Sequence, residues 1–138
     1  MVVDTSALLA ILQDEPERRA FAEAIEDAGS CSMSVGNLLE TSLVIESRFG
    51  AEGTRDLDQL IEKARIELVP VDLEQLGIAR RAFSRFGKGR HPAALNFGDC
   101  FAYALARALG EPLLYKGDDF ARTDIVAVAP RPRRVKKG

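Results

Sequence analysis

Short apolar runs alternate along the chain with segments whose apolar residues recur every three or four positions, the pattern of strands and helices in turn. Met1-Val2-Val3 reads as a short buried strand, and Asp4-Thr5-Ser6 follow it as residues that favour turns and helix starts. From Pro16 onward Phe21, Ile25 and Ala28 keep helical spacing, and Gly29 supplies a stop. Cys31-Ser32-Met33 predicts a second strand. Leu38, Ser42, Ile45 and Phe49 then form one helical stripe that ends at Gly50, and Leu57, Leu60, Ile61 and Ala64 mark another helix. Leu68-Val69-Pro70-Val71 reads as a strand end, because proline has no N–H to give to a ladder.

Asp72-Leu73-Glu74-Gln75 has the form of a capping box, and behind it Leu73, Leu76, Ala79, Phe83 and Phe86 form an apolar stripe. Phe101, Leu105, Ala108 and Leu109 predict a further helix, stopped by Gly110 and Pro112. Leu113-Leu114-Tyr115 and Ile125-Val126-Ala127-Val128 read as the last two strands. Strands alternating with helices imply an α/β fold, a central parallel sheet of about five strands sandwiched by helices. The 138 residues suit one hydrophobic core, so a single domain over residues 1–129 is expected, followed by a basic, flexible C-terminal tail at 130–138.

A hydrophobic share of 46% and a charged share of 29% are those of a globular chain, which excludes a disordered or fibrous class. The formal net charge is -2, but Arg131, Arg133, Arg134, Lys136 and Lys137 crowd the last eight positions. The remaining body is therefore acidic, and a polyanionic partner would need local basic patches and bound cations to approach it. The two cysteines, Cys31 and Cys100, stand in no metal-binding or redox spacing and read as buried free thiols. No signal segment or membrane span is visible, so a cytoplasmic location is expected.

Ligands of open α/β sheets sit beyond the carboxyl ends of the strands. Asp4 follows the first predicted strand and Asp118-Asp119 follow the strand at Leu113–Tyr115, while Glu40 and Asp99 stand early in helices. Carboxylates brought together repel one another, so a site that gathers them either protonates some or binds a cation. Mg²⁺ and Mn²⁺ prefer oxygen ligands, and such ions activate water and neutralise charge in phosphodiester hydrolysis. Each acid also has a plainer explanation. Asn37-x-x-Glu40 and Asn96-x-x-Asp99 could be N-caps with an acid in the first turn, Asp4 could cap the first helix, and Asp118-Asp119 could be a solvated turn. Spacing alone leaves both readings open.

The opening Met1-Val2-Val3-Asp4-Thr5-Ser6-Ala7 resembles that of PIN domains. The stretch from Phe86-Gly87-Lys88-Gly89-Arg90-His91-Pro92 through Asn96-Phe97-Gly98-Asp99-Cys100 is similar to one characteristic of VapC-type toxins, as are Tyr115-Lys116-Gly117-Asp118-Asp119-Phe120 and Thr123-Asp124-Ile125. The resemblance runs in order through residues 1–128. It implies an endoribonuclease of a type II toxin-antitoxin system, dependent on Mg²⁺ or Mn²⁺, neutralised by a VapB-like antitoxin and paired as a homodimer. It further implies that Asp4, Glu40, Asp99 and either Asp119, the favoured choice, or Asp118 form the catalytic metal site. Thr5 or Ser6 would support a ligand through its hydroxyl.

Arg81, Arg85 and Lys88 fall on one face of their predicted helix, and Arg90 and His91 follow in the loop that leads to Asp99. With Lys116 the four long cations are candidates to hold RNA phosphates, which positions a strand without reading its sequence. His91 is expected to make a loop contact. Gly87-Lys88-Gly89 lacks the spacing of a phosphate-binding P-loop. A phosphatase of the haloacid dehalogenase type needs a second aspartate where Ser6 stands. The remaining alternative is a non-catalytic PIN-like module that binds RNA or protein.

Overall fold

The computed structural model describes residues 1–128, so the basic tail expected at 130–138 lies outside the described residues. Four strands, β1 (Val2–Val3), β2 (Cys31–Ser34), β3 (Ile66–Val69) and β4 (Leu113–Leu114), form one parallel sheet in the order β3-β2-β1-β4. The last predicted strand is reduced to a single parallel bridge, Leu113 with Ala127, which extends the sheet beside β4. Five helices flank it: α1 (Thr5–Leu12), α2 (Arg18–Asp27), α3 (Val35–Lys63), α4 (Leu73–Phe86) and α5 (Phe97–Leu109).

Successive strand residues point to opposite faces, and the central strand shows it with two side chains. Val3 packs with Leu8, Ile11, Phe21, Met33 and Leu57 under α1, α2 and the later part of α3. Val2, its neighbour, packs with Phe86, Leu95, Tyr103, Leu105 and Phe120 under α4 and α5. Both valines are fully buried. Leu113 and Leu114 of β4 divide between the two cores in the same way. The sheet is thus covered on both sides.

The helical register differs from the apolar stripes in two places. Within α3 the chain breaks at Gly50, whose φ of 64° and ψ of -153° suit glycine and end the first segment where the sequence predicts. Its buried face, however, is Asn37, Thr41 and Ile45, and Phe49 is exposed. Each of the two polar side chains donates a hydrogen bond that offsets part of its burial: Asn37 Nδ2 to the Gly98 carbonyl at 2.9 Å and Thr41 Oγ1 to the Asn37 carbonyl at 2.8 Å, while Asn37 Oδ1 is left without a partner among the described residues. In α4 the buried face is Gln75, Ala82 and Phe86, leaving Leu73, Leu76 and Phe83 exposed. Gln75 is held by Asp72 and Pro70, since its N–H donates to Asp72 Oδ1 and its amide to the Pro70 carbonyl.

From β1 the chain moves outward to β2 and β3 and then returns to the other side of β1 as β4. The direction of winding reverses between β1 and β4, and at such a switch point the loops leaving the carboxyl ends diverge and open a crevice. Asp4 leaves β1 there, with its N–H bonded to the Leu114 carbonyl at 3.0 Å, and the segment 115–119 leaves β4.

Candidate metal centre

Asp4 is 4% exposed and caps α1, its Oδ2 accepting from the Ser6 N–H at 3.1 Å and from Ser6 Oγ at 2.6 Å. Asp99 stands at the third position of α5 and completes a capping box: its N–H donates to Asn96 Oδ1, and its Oδ2 accepts from the Asn96 N–H at 3.0 Å. The capping explanations of these two acids therefore hold as geometry. Glu40 differs, because α3 starts at Val35 with Ser34 as its cap and has no acid in its first turn. Capping gives Glu40 no reason to be where it is.

Glu40 lies against α5 at Gly98. A Cβ on that glycine would overlap the Glu40 carboxylate, so the absence of a side chain at 98 is what admits Glu40 beside Asp99. Asn37, one turn earlier in α3, fixes the same approach by bonding the Gly98 carbonyl, and Thr5 Oγ1 donates to the Asn37 carbonyl at 3.1 Å. A buried polar seam thus joins the starts of α1, α3 and α5, the three helices that carry Asp4, Glu40 and Asp99. Sequence periodicity missed it. The signal was present as polar residues at 37 and 41, spaced one turn apart with Ile45.

The carboxylates act on one another electrostatically. Burial pushes the Asp4 carboxyl up to about 6, against the lowering effect of its Ser6 hydrogen bonds, with Glu40 adding to the rise. Burial pushes Asp99 up to about 7, and the charges acting on it are those of Asp4, Asp119 and Glu40, all negative. Of the adjacent pair it is Asp119 whose charge reaches Asp99, whereas that of Asp118 acts on Tyr115. Asp4, Glu40 and Asp119 are thus the acids within electrostatic reach of Asp99.

An oxygen-only cluster of mutually repelling carboxylates, two of them protonated more readily than ordinary acids, is the donor set that suits a hard divalent cation. Among the described residues no three His, Cys, Asp or Glu side chains already close on one point as a ligand shell. One oxygen each of Asp4 and Asp99 is engaged in its helix cap. The kind of donor fits a cation, and the second oxygens would have to supply it.

Ser6 links two parts of the rim, since its Oγ also accepts the Lys116 N–H at 2.9 Å. The Thr5 hydroxyl serves the Asn37 seam instead. Arg81 and Arg85, with Gly77, Arg80 and Ser84, line a shallow depression of about 510 Å³ on α4. Arg85 lies 4.6 Å from the Phe86 ring centroid and 3.6 Å from Asp124 Oδ2, a carboxylate that also receives the Tyr103 hydroxyl at 2.5 Å. Lys88 and Arg90 are exposed in the loop between Phe86 and Leu95, which Arg122 ties to the turn after Asp119 through the Pro92 carbonyl. His91 Nδ1 accepts the Ala93 N–H, a loop contact. Lys116 is not free, for its Nζ pairs with Glu15 at 2.8 Å and Glu17 at 3.1 Å. No helix among the described residues is long and apolar enough to cross a membrane.

Known proteins share this fold and much of this sequence. The PIN domain family model matches residues 1–126. A ribonuclease VapC of Mycolicibacterium smegmatis is 53% identical over 93% of this chain and 99% of its own length. Ribonuclease VapC30 of Mycobacterium tuberculosis is 52% identical over 94% and 98%. Among solved structures, VapC20 of Mycobacterium tuberculosis, described as a toxin that cleaves the sarcin-ricin loop, superposes with a TM-score of 0.76 at 18% identity, covering 94% of this chain and 98% of that one. VapBC2 of Rickettsia felis, solved bound to a DNA fragment from its promoter, gives 0.75 at 12% identity with 91% and 94% covered. At those identities the likeness is one of fold.

Proposed function

This chain belongs to the PIN-domain family, among the VapC ribonucleases, and from that premise we propose that it is a metal-dependent endoribonuclease toxin restrained by a VapB-like antitoxin. The observation that carries the metal part is the all-negative environment of Asp99, pushed up to about 7 beside Asp4, Glu40 and Asp119. That arrangement is costly for a protein with no cation to place there. Asp4, Asp99, Glu40 and Asp119 would hold Mg²⁺ or Mn²⁺, and the bound ion would supply activation of water and charge neutralisation on the phosphodiester.

The chain's own residues divide the remaining work. Ser6 holds Asp4 by hydroxyl and amide, so one carboxylate oxygen stays oriented while the other is available. The Asn96 cap does the same for Asp99. Arg81, Arg85, Lys88 and Arg90 would take phosphates of the RNA to either side of the cut, supplying affinity without sequence readout. The nuclease domain is taken as residues 1–129, acting in the cytoplasm, with the basic tail at 130–138 outside it. Exposed Leu39 and Leu43 of α3 and Phe97 of α5 supply apolar surface for homodimer pairing. Sedimentation should show Leu39→Asp as a monomer, and an unchanged sedimentation coefficient would remove that face from the interface.

Cleavage of cellular RNA by purified protein tests the function. Mg²⁺ or Mn²⁺ should support cleavage, chelator and the antitoxin should each stop it, and Asp4→Asn and Asp99→Asn should abolish it. Equal activity in wild type and both variants would refute the site. Metal-independent RNA binding without cleavage would point to the non-catalytic module instead.

A further inference from the structure

We propose that Lys116 is a positioning residue: it latches the turn that carries Asp119 to the loop between α1 and α2 and so sets where that acid stands relative to Asp4. The inference rests on the metal-site reading above and reassigns a lysine that the sequence offers as a phosphate contact.

Three observations meet at this residue. Its backbone N–H donates to Ser6 Oγ at 2.9 Å, and the same hydroxyl donates to Asp4 Oδ2 at 2.6 Å, so the main chain at 116 is joined to the first acid through one atom. Its Nζ bridges Glu15 at 2.8 Å and Glu17 at 3.1 Å, both in the connection between α1 and α2. Directly after it Gly117 takes a φ of +101°, a conformation L side chains rarely adopt, and turns the chain toward Asp118 and Asp119. The direction of that turn is inherited from wherever Lys116 is held. A lysine already shared by two carboxylates has little positive charge to offer a phosphate.

The paired groups are about one-third exposed, at 38% for Lys116, 29% for Glu15 and 37% for Glu17, so each pair is individually weak. Acting together they would bias the turn by about fivefold. The latch is therefore a modest and salt-sensitive adjustment of the site, not a requirement for folding.

Position and bulk charge make opposite predictions for Lys116→Met. Removing a positive charge near carboxylates should tighten a cation, whereas releasing the turn should loosen it. The experiment measures Mn²⁺ dissociation constants by electron paramagnetic resonance, hydrogen exchange at the 116 amide, and Tm, in wild type, Lys116→Met, Lys116→Arg and the double variant Glu15→Gln/Glu17→Gln. The latch predicts Mn²⁺ bound about fivefold more weakly in both Lys116→Met and the double variant, amide 116 exchanging about fivefold faster in each, Tm within a few degrees of wild type, and partial rescue by Lys116→Arg. Tighter Mn²⁺ binding in Lys116→Met, or unchanged amide protection in both unlatched proteins, overturns it. Should wild type bind no Mn²⁺ and cut no RNA, the functional reading falls, and the amide exchange still decides the latch.

Discussion

Replacing Asp4 by asparagine should make the metal-free protein more stable at alkaline pH, although it removes a helix cap's charge and destroys the site. The Asp4 carboxyl is raised from 3.8 to about 6 at 4% exposure, so holding it ionised costs on the order of 3 kcal/mol in the folded state. The sign follows from linkage. Between about pH 4 and 6 the folded protein holds a proton that the unfolded chain has released, so stability falls as pH rises through that window and stays low above it. Asparagine keeps the acceptor for the Ser6 N–H and Oγ but exchanges a charge-assisted bond for a neutral one, which gives back about 1 kcal/mol. The net gain is about 2 kcal/mol at pH 8 in chelator, or roughly 5–10 °C in Tm. The advantage should shrink to about 0.5 kcal/mol at pH 5, where the folded wild type holds the proton but the unfolded chain has largely released it, and should also shrink in saturating Mn²⁺, which stabilises wild type by about 2.7 kcal/mol at a hundred times its dissociation constant. Thermal unfolding of both proteins at pH 5 and 8, with and without metal, checks all four values. An asparagine variant less stable than wild type at pH 8 in chelator would refute the reasoning, leaving Asp4 as a capping residue whose charge the fold wants.

Three further outcomes follow from the same geometry. Gly98→Ala should leave Tm nearly unchanged, because alanine favours a helix, yet lower cleavage by about a hundredfold as the new methyl displaces the Glu40 carboxylate; single-turnover rates beside a melting curve separate the two effects. Asn37→Ala should cost about 1 kcal/mol by removing the buried bond from Asn37 to the Gly98 carbonyl, visible as a lower urea midpoint, and should also reduce activity because it loosens α3 against α5. Arg81→Ala combined with Lys88→Ala should raise KM, leave kcat intact, and make the slope of log binding constant against log salt shallower by about 0.7 for each phosphate no longer neutralised, as read by RNA binding across a salt series.

The alternation of strands and helices was legible in the sequence because strand runs such as Val2-Val3 and stops such as Gly29, Gly50 and Gly110 carry local information. The acids at 4 and 99 could be placed at the rim for the same reason, as each follows a strand end or a cap. What could not be read is what the third dimension supplies. Counting apolar residues put Phe49 and Leu73 in the core and Asn37, Thr41 and Gln75 outside it, since periodicity does not register a polar side chain that finds a backbone partner, whether sixty residues away as for Asn37 or within five as for Thr41 and Gln75. Asp118 and Asp119 are neighbours in one turn, and which of them acts on Asp99 depends on the backbone direction after Gly117, which no local pattern gives. Lys116 looked free because its partners lie a hundred residues earlier.

Direct titration of purified protein with Mn²⁺ at pH 7, by calorimetry in two buffers of different ionisation enthalpy, bears most closely on the claim that these carboxylates are gathered for a cation. Wild type should bind with net proton release, because Asp4 and Asp99 are partly protonated near neutral pH, and Asp4→Asn and Asp99→Asn should each lose most of the affinity. Binding with no proton release and the same affinity in all three proteins would contradict it.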